Sequence, residues 1–175
     1  MENGDPMPLH RFETAEHPVD EAARLEIIKA CGFNYAVPSP ALDAIVAEAS
    51  ALFSAPIALI SIVEEQVQRF LARVGLDASH TGRDVAFCAH ALHATVPLIV
   101  PDATLDRRFA GNPLVVGPPH IRFYAGAPLI PRGGPALGTL CVIDTKPREA
   151  TPEQLSALVR LAGKAVEHIE KDMTS

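Results

Sequence analysis

The sequence predicts an α+β domain, with one mixed or antiparallel sheet and helices mainly on one side. Three observations carry this. Helical apolar spacing occurs near both ends of the chain, from Asp20 and from Pro40 and again after Thr151. Apolar, β-branched runs fill the middle, at residues 57–63, 67–74, 98–100, 121–130 and 136–143. The strands do not alternate regularly with helices, so the βαβ repetition of a doubly wound fold is missing.

The elements follow in order. Asp20 can cap a first helix, Glu21 favours its positive end, and Gly32 stops it. Ala22, Ala23, Leu25 and Ile28 give its apolar stripe. Ser39 suits the cap of a second helix and Pro40 its first position, with Leu42, Ile45, Val46 and Ala49 at helical spacing before Ala55-Pro56. The run from Ile57 to Val63 does not alternate, so it reads as a central strand. Glu64, Glu65 and Gln66 turn the chain into a return strand, Val67 to Val74. Residues 68, 70, 72 and 74 share one face of it, which places Phe70 and Val74 against the main core. Residues 75–84 are a polar segment, and Val85 to Ala94 a short helix. Leu98 to Val100 is a short strand, after which proline and glycine density shapes a loop out to Pro119. Two strands close the sheet around the turn at 131–135, and Gly138 permits close approach of another backbone. Thr151, Pro152 and Gln154 form a capping box before a long apolar stripe. One domain is expected over residues 19–171, with a flexible lead-in at 1–18 and a tail at 172–175.

Composition narrows the function. The 175 residues are 48% apolar and 21% charged, enough for one domain with its own core. A net charge of -6 gives no electrostatic case for nucleic acid, and Arg107-Arg108 is a pair rather than a stripe. Trp is absent and only two Tyr occur, which limits stacking platforms for bases. No run of apolar residues is long enough to span a bilayer. The acidic, proline-bearing N-terminus lacks the pattern of a secretory signal, so the chain is expected in the cytoplasm without a membrane partner. Cys31, Cys88 and Cys141 are widely spaced, form no C-x-x-C pair and read as buried thiols.

An ordered set of segments resembles the GAF domain family: APIALISIVEEQVQRF at 55–70, FCAHAL at 87–92, PDATLDRRFAGNPLV at 101–115, IRFYAGAPL at 121–129 and ALGTLCVID at 136–144. The likeness covers about residues 20–170 and is greatest to a bacterial subgroup that precedes histidine kinase and diguanylate cyclase modules. It implies a five- or six-stranded antiparallel sheet, terminal helices on one face, and pocket-covering loops on the other. It also implies a homodimer through the terminal helices. Arg69 departs from the subgroup's usual aromatic, His80 from an acidic residue, and Ala86 from a small hydroxyl.

The candidate ligand-binding residues are Phe87, Cys88, His90, Asp102, Arg107, Phe109, Arg122 and Tyr124. Cys88 and His90 point differently if their segment is helical, whereas His90 and His93 share a face. Two imidazoles on one turn could assist a metal, but no carboxylate partner or H-E-x-x-H pattern accompanies them, so none is assigned. Asp102 can cap a short helix near Thr104, and Arg107 can fork to an anionic ligand or pair with Asp102 or Asp106. Phe109 reads as a lid anchor. Strand alternation puts Arg122 and Tyr124 on the ligand side and Phe123 in the core. Asp144 can cap the turn that follows it.

The leading expectation is a small-molecule-binding sensory module in cytoplasmic signal transduction, without its own output domain and with a signalling protein as partner. The cofactor is not specified, and Cys88 alone is thin support for a bilin. A thiol-dependent enzyme resembling the free methionine sulfoxide reductases is the alternative, although the closely grouped cysteines of those enzymes are missing. A dimerisation module without ligand is the third reading.

Overall fold

The computed structural model describes residues 11–174; the expectation of a lead-in at residues 1–10, and Ser175 of the expected tail, lie outside the described residues. Two helices come first, α1 (Glu21–Cys31) and α2 (Pro40–Phe53). Strands β1 (Ile57–Val63), β2 (Val67–Val74) and β3 (His80–Gly82) follow. Helix α3 (Phe87–Ala91), β4 (Leu98–Val100) and α4 (Pro113–Val116) come next. Strands β5 (Phe123–Leu129) and β6 (Gly138–Asp144) lead to α5 (Pro152–Thr174). Among the described residues the strands form one six-stranded antiparallel sheet in the order β3-β2-β1-β6-β5-β4. Its central strands, β1 and β6, are the most apolar, as burial on both faces requires.

The sheet separates two cores. On one face α2 and α5 pack Val46, Ala49, Phe53, Leu158, Leu161 and Ala165 against Ile60, Ile62, Phe123, Ala125, Leu140 and Val142. On the other, Leu59, Phe70, Tyr124, Cys141 and Ile143 meet Phe87, Cys88, Leu92, Phe109 and Val115 from the covering segments. This is the expected arrangement of terminal helices on one side and loops on the other. No helix among the described residues is long and apolar enough to cross a membrane.

Local chemistry sets the helix ends. Ser39 accepts a hydrogen bond from the Leu42 amide, and Gly32 ends α1 at φ 60°. The Thr151–Gln154 box is reciprocal: the Gln154 amide donates to Thr151 Oγ1 at 3.1 Å and the Thr151 amide to Gln154 Oε1 at 2.9 Å. Helix α5 continues through residues 172–174, beyond the expected end of the domain at residue 171. The Lys146 amide donates to Asp144 Oδ1 at 3.2 Å, so Asp144 does cap its turn. Gly138 lies against the Ser61 carbonyl, where a Cβ would collide with the oxygen.

Four details depart from expectation. Asp20 makes no side-chain cap, and the first-turn carboxylate of Glu21 is used elsewhere. Alongside Ile28, α1 buries Arg24, while Ala22 and Ala23 stay exposed. The Arg24 guanidinium donates to the carbonyls of Val63 and Leu137 and to Glu21, and Glu21 also pairs with Arg83. Third, Phe70 and Val74 do not share a face. Ile60 pairs with Ala72 but Ser61 with Phe70, so Leu71 is an extra residue in a bulge. Phe70 therefore lies on the covered face, and Ala72 and Val74 on the helix face. Fourth, residues 80–82 of the expected polar segment pair with β2 as an edge strand, and the helix expected over 85–94 is limited to 87–91.

Candidate ligand-binding site

A cavity of about 390 Å³ opens between the sheet and its covering segments, on the face opposite the terminal helices. The sheet contributes Ile57, Leu59, Gln68, Phe70, Tyr124 and Ile143. Phe87 and Cys88 of α3, Leu114 of α4, and Pro118, Pro119 and Ile121 line it from the cover, and Gly75 to Ala78 with Thr81 from the β2–β3 side. The volume falls in the range of small-molecule sites, as does the mainly apolar lining with a few polar groups.

Cys88 is the polar centre of the inner wall. It is 2% exposed, and its Sγ accepts from Thr139 Oγ1 at 2.9 Å and from the Tyr124 hydroxyl at 3.2 Å. The Ser61 hydroxyl lies 3.4 Å from that of Thr139. Tyr124 reaches Cys88 because its ring lies across Gly126, where a Cβ would collide with the phenol. Burial opposes ionisation of Cys88, but hydrogen bonds from Cys141, Ser61, Thr139 and Tyr124 outweigh it and hold the thiol below its usual range. Hydrogen bonding to Cys88 and burial push Cys141 well above it, so Cys88 is the first of the pair to lose its proton. Burial, then the charge on the two thiols, keeps Tyr124 protonated.

Of the candidate residues from sequence, Phe87, Cys88 and Tyr124 meet at this cavity. Phe109 lies behind it, fully buried and stacked on Phe87 with ring centroids 4.0 Å apart. His90 does not line this cavity. Its Nε2 donates to the Glu13 carbonyl at 3.0 Å, and that of His93 to Glu16 at 2.7 Å. Both imidazoles thus share a face and hold residues 13–16 to the cover. Asp102 caps the turn at Thr104, accepting from its amide at 3.0 Å and its hydroxyl. The pairing expected of Arg107 belongs to Arg108, which donates to Asp106 at 2.8 Å while Arg107 stays exposed. Only Arg107 separates Asp106 from Arg108, and the turn leaves it exposed between them. Arg122 donates to the carbonyls of Val115 and Ile121, fastening the cover to the sheet rather than lining the cavity. Among the described residues no group of three or more His, Cys, Asp or Glu is placed to hold a metal ion.

Gln68, Asp77 and Thr81 escaped the sequence reading. Gln68 had a signal, since a glutamine shares its strand face with Phe70 where burial is expected. Thr81 had none, because its strand is only three residues long.

Fold and site together define a class of protein. The GAF domain model matches residues 38–169, and the chain belongs to that family. Its sequence is 44% identical over 146 residues to a cyclic di-GMP phosphodiesterase of Pseudomonas aeruginosa, covering 83% of this chain. The matched region is 25% of that enzyme, so the chain spans about a quarter of its relative's length. The fold is shared with the GAF domain of an Acinetobacter phosphoenolpyruvate-protein phosphotransferase (TM-score 0.65, 19% identity, 88% of this chain and 95% of that one). It is also shared with a type II free methionine-R-sulfoxide reductase from Thermoplasma acidophilum (TM-score 0.60, 14% identity, 74% and 90%).

Proposed function

We propose that this domain is a sensory module whose cavity binds a small molecule and whose terminal helices carry the response. The observation that carries the reading is the cavity itself. It lies between the sheet and a cover built of short helices and loops, and the helices that would pass on a signal pack on the opposite face. A ligand that binds one arrangement of the cover better than another would shift the balance between them. Identity of 44% to a cyclic di-GMP phosphodiesterase supports an output in cyclic dinucleotide turnover. Pairing of two copies through the terminal helices belongs to the same proposal.

Native mass spectrometry of protein purified gently from its host tests the reading. The expected result is a stoichiometric mass lost on denaturation and absent from Ala78→Trp, which plugs the cavity. Unliganded protein in both forms would sink it.

A second reading has one specific observation in its favour, the hydrogen-bonded Cys88 beside Cys141 at the cavity wall. It is thiol-dependent reduction of a small sulfoxide, and turnover lost in Cys88→Ser would establish it.

A further inference from the structure

The polar atoms of the cavity are unevenly spent, and the imbalance specifies what fits there. Among the described residues, the side chains lining it include no Lys, Arg or His. Each hydroxyl or amide donor atom of its side chains already has at least one acceptor. The Tyr124 hydroxyl donates to Cys88, the Thr81 hydroxyl to the Gly82 carbonyl at 3.3 Å, and Gln68 Nε2 to Thr81 Oγ1 at 2.9 Å. Thr81 donates to Gly82 and accepts from Gln68, whose amide nitrogen faces it. That leaves Gln68 Oε1 buried with no partner, the one such side-chain atom among the described residues. Gln68 itself is 4% exposed. A buried acceptor without a donor is costly, and a bound donor removes that cost. Asp77, the one carboxylate of the lining among the described residues, is exposed at the cavity's edge.

We infer that the cavity takes a compact, mainly apolar molecule, uncharged or singly cationic, that donates a hydrogen bond from N–H or O–H to Gln68 Oε1. This deepens the sensory reading and rests on it. A phosphate or carboxylate would enter a space where no described lining side chain carries positive charge, and where the Gln68 oxygen and Asp77 would repel it. A cationic amine would keep the bond to Gln68 and gain the attraction of Asp77. The domain would then sense a molecule unlike the anionic dinucleotide that its relative's name describes.

Four ring compounds of similar shape separate these properties in calorimetric titrations of the full chain. Indole offers an uncharged N–H, and benzofuran replaces that N–H by oxygen. Tryptamine adds a cation and indole-3-acetate an anion. Indole and tryptamine are expected to saturate one site, with benzofuran and indole-3-acetate at least tenfold weaker. Gln68→Leu should bring indole and benzofuran to equal affinity, while Gln68→Glu, which keeps the acceptor, should raise the preference for tryptamine. A thermal melt of each variant shows whether it is folded. Equal binding of indole and benzofuran by the unaltered protein would overturn the inference, as would tighter binding of indole-3-acetate or no saturation by any of the four. The sensory reading fails separately, on native protein that carries no ligand.

Discussion

At the cavity wall a single thiol gathers the polar side chains of three strands. Ser61, Tyr124 and Thr139 come from β1, β5 and β6, and their hydroxyls meet at or near Cys88. No formal charge is needed, because several modest donors in a buried place act together on one acceptor. Tyr124→Phe removes one of them and should move the Cys88 titration upward, read from the pH dependence of its alkylation or of thiolate absorbance. Gly126→Ala should do the same by displacing the phenol ring, at a stability loss of about 1–3 kcal/mol typical of overpacking. If the Cys88 titration is unmoved in both variants, Tyr124 does not set it.

The elements differ in how locally they are fixed. Helix α5 begins where Thr151 and Gln154 satisfy each other's amides, a contact made within four residues of sequence. Thr151→Ala should therefore cost about 1 kcal/mol in a urea melt, with the cavity unaffected. Strand β2 is fixed at longer range. The bulge at Leu71 lets Gln68 and Phe70 face the cavity while Ala72 and Val74 face α2. One extra residue thus allows a single strand to serve two cores, and without it the side-chain alternation would send one set to the wrong side. Helix α1 owes its position to Arg24, whose guanidinium reaches the Val63 and Leu137 carbonyls at the end of the sheet.

Across the whole molecule, Glu21 links the terminal helices to the cavity cover. It bridges Arg24 in its own helix to Arg83, in the turn that leads into α3 and Cys88. Burial works against the Glu21 carboxylate, but hydrogen bonds and charge from Arg83 and Arg24 outweigh it and lower its pKa from 4.5 to about 2. A carboxyl with a lowered pKa contributes stability that is complete above its unfolded value and is lost as pH falls through the folded one. Stability should therefore drop between pH 4.5 and about 2. In Glu21→Gln the drop should be shallower, as denaturant melts across that range would show. Glu21→Ala leaves two buried guanidinium groups without their carboxylate and should cost about 3 kcal/mol near neutral pH. A melt at every pH indistinguishable from the unaltered protein would mean that the bridge contributes nothing.

The sequence by itself determined the elements whose causes are local. Capping residues at Ser39 and Thr151, the glycine stop at 32, and the unbroken apolar run of β1 were legible because neighbours in sequence enforce them. The ordered segments from 55 to 144 were enough to indicate the family. Part of the cavity was legible too, since alternation puts Tyr124 and Phe123 on opposite faces of β5. Tertiary structure alone decided the rest. The bulge at Leu71, the burial of Arg24, and the choice of Arg108 over Arg107 for Asp106 each depend on what the fold brings alongside. The unpaired oxygen of Gln68 depends on Thr81, thirteen residues away, engaging the other end of its amide. Periodicity and caps are written in the chain because they act over one turn or one pleat. Which polar atoms remain unsatisfied is a balance over every group the fold assembles, and no stretch of sequence contains it.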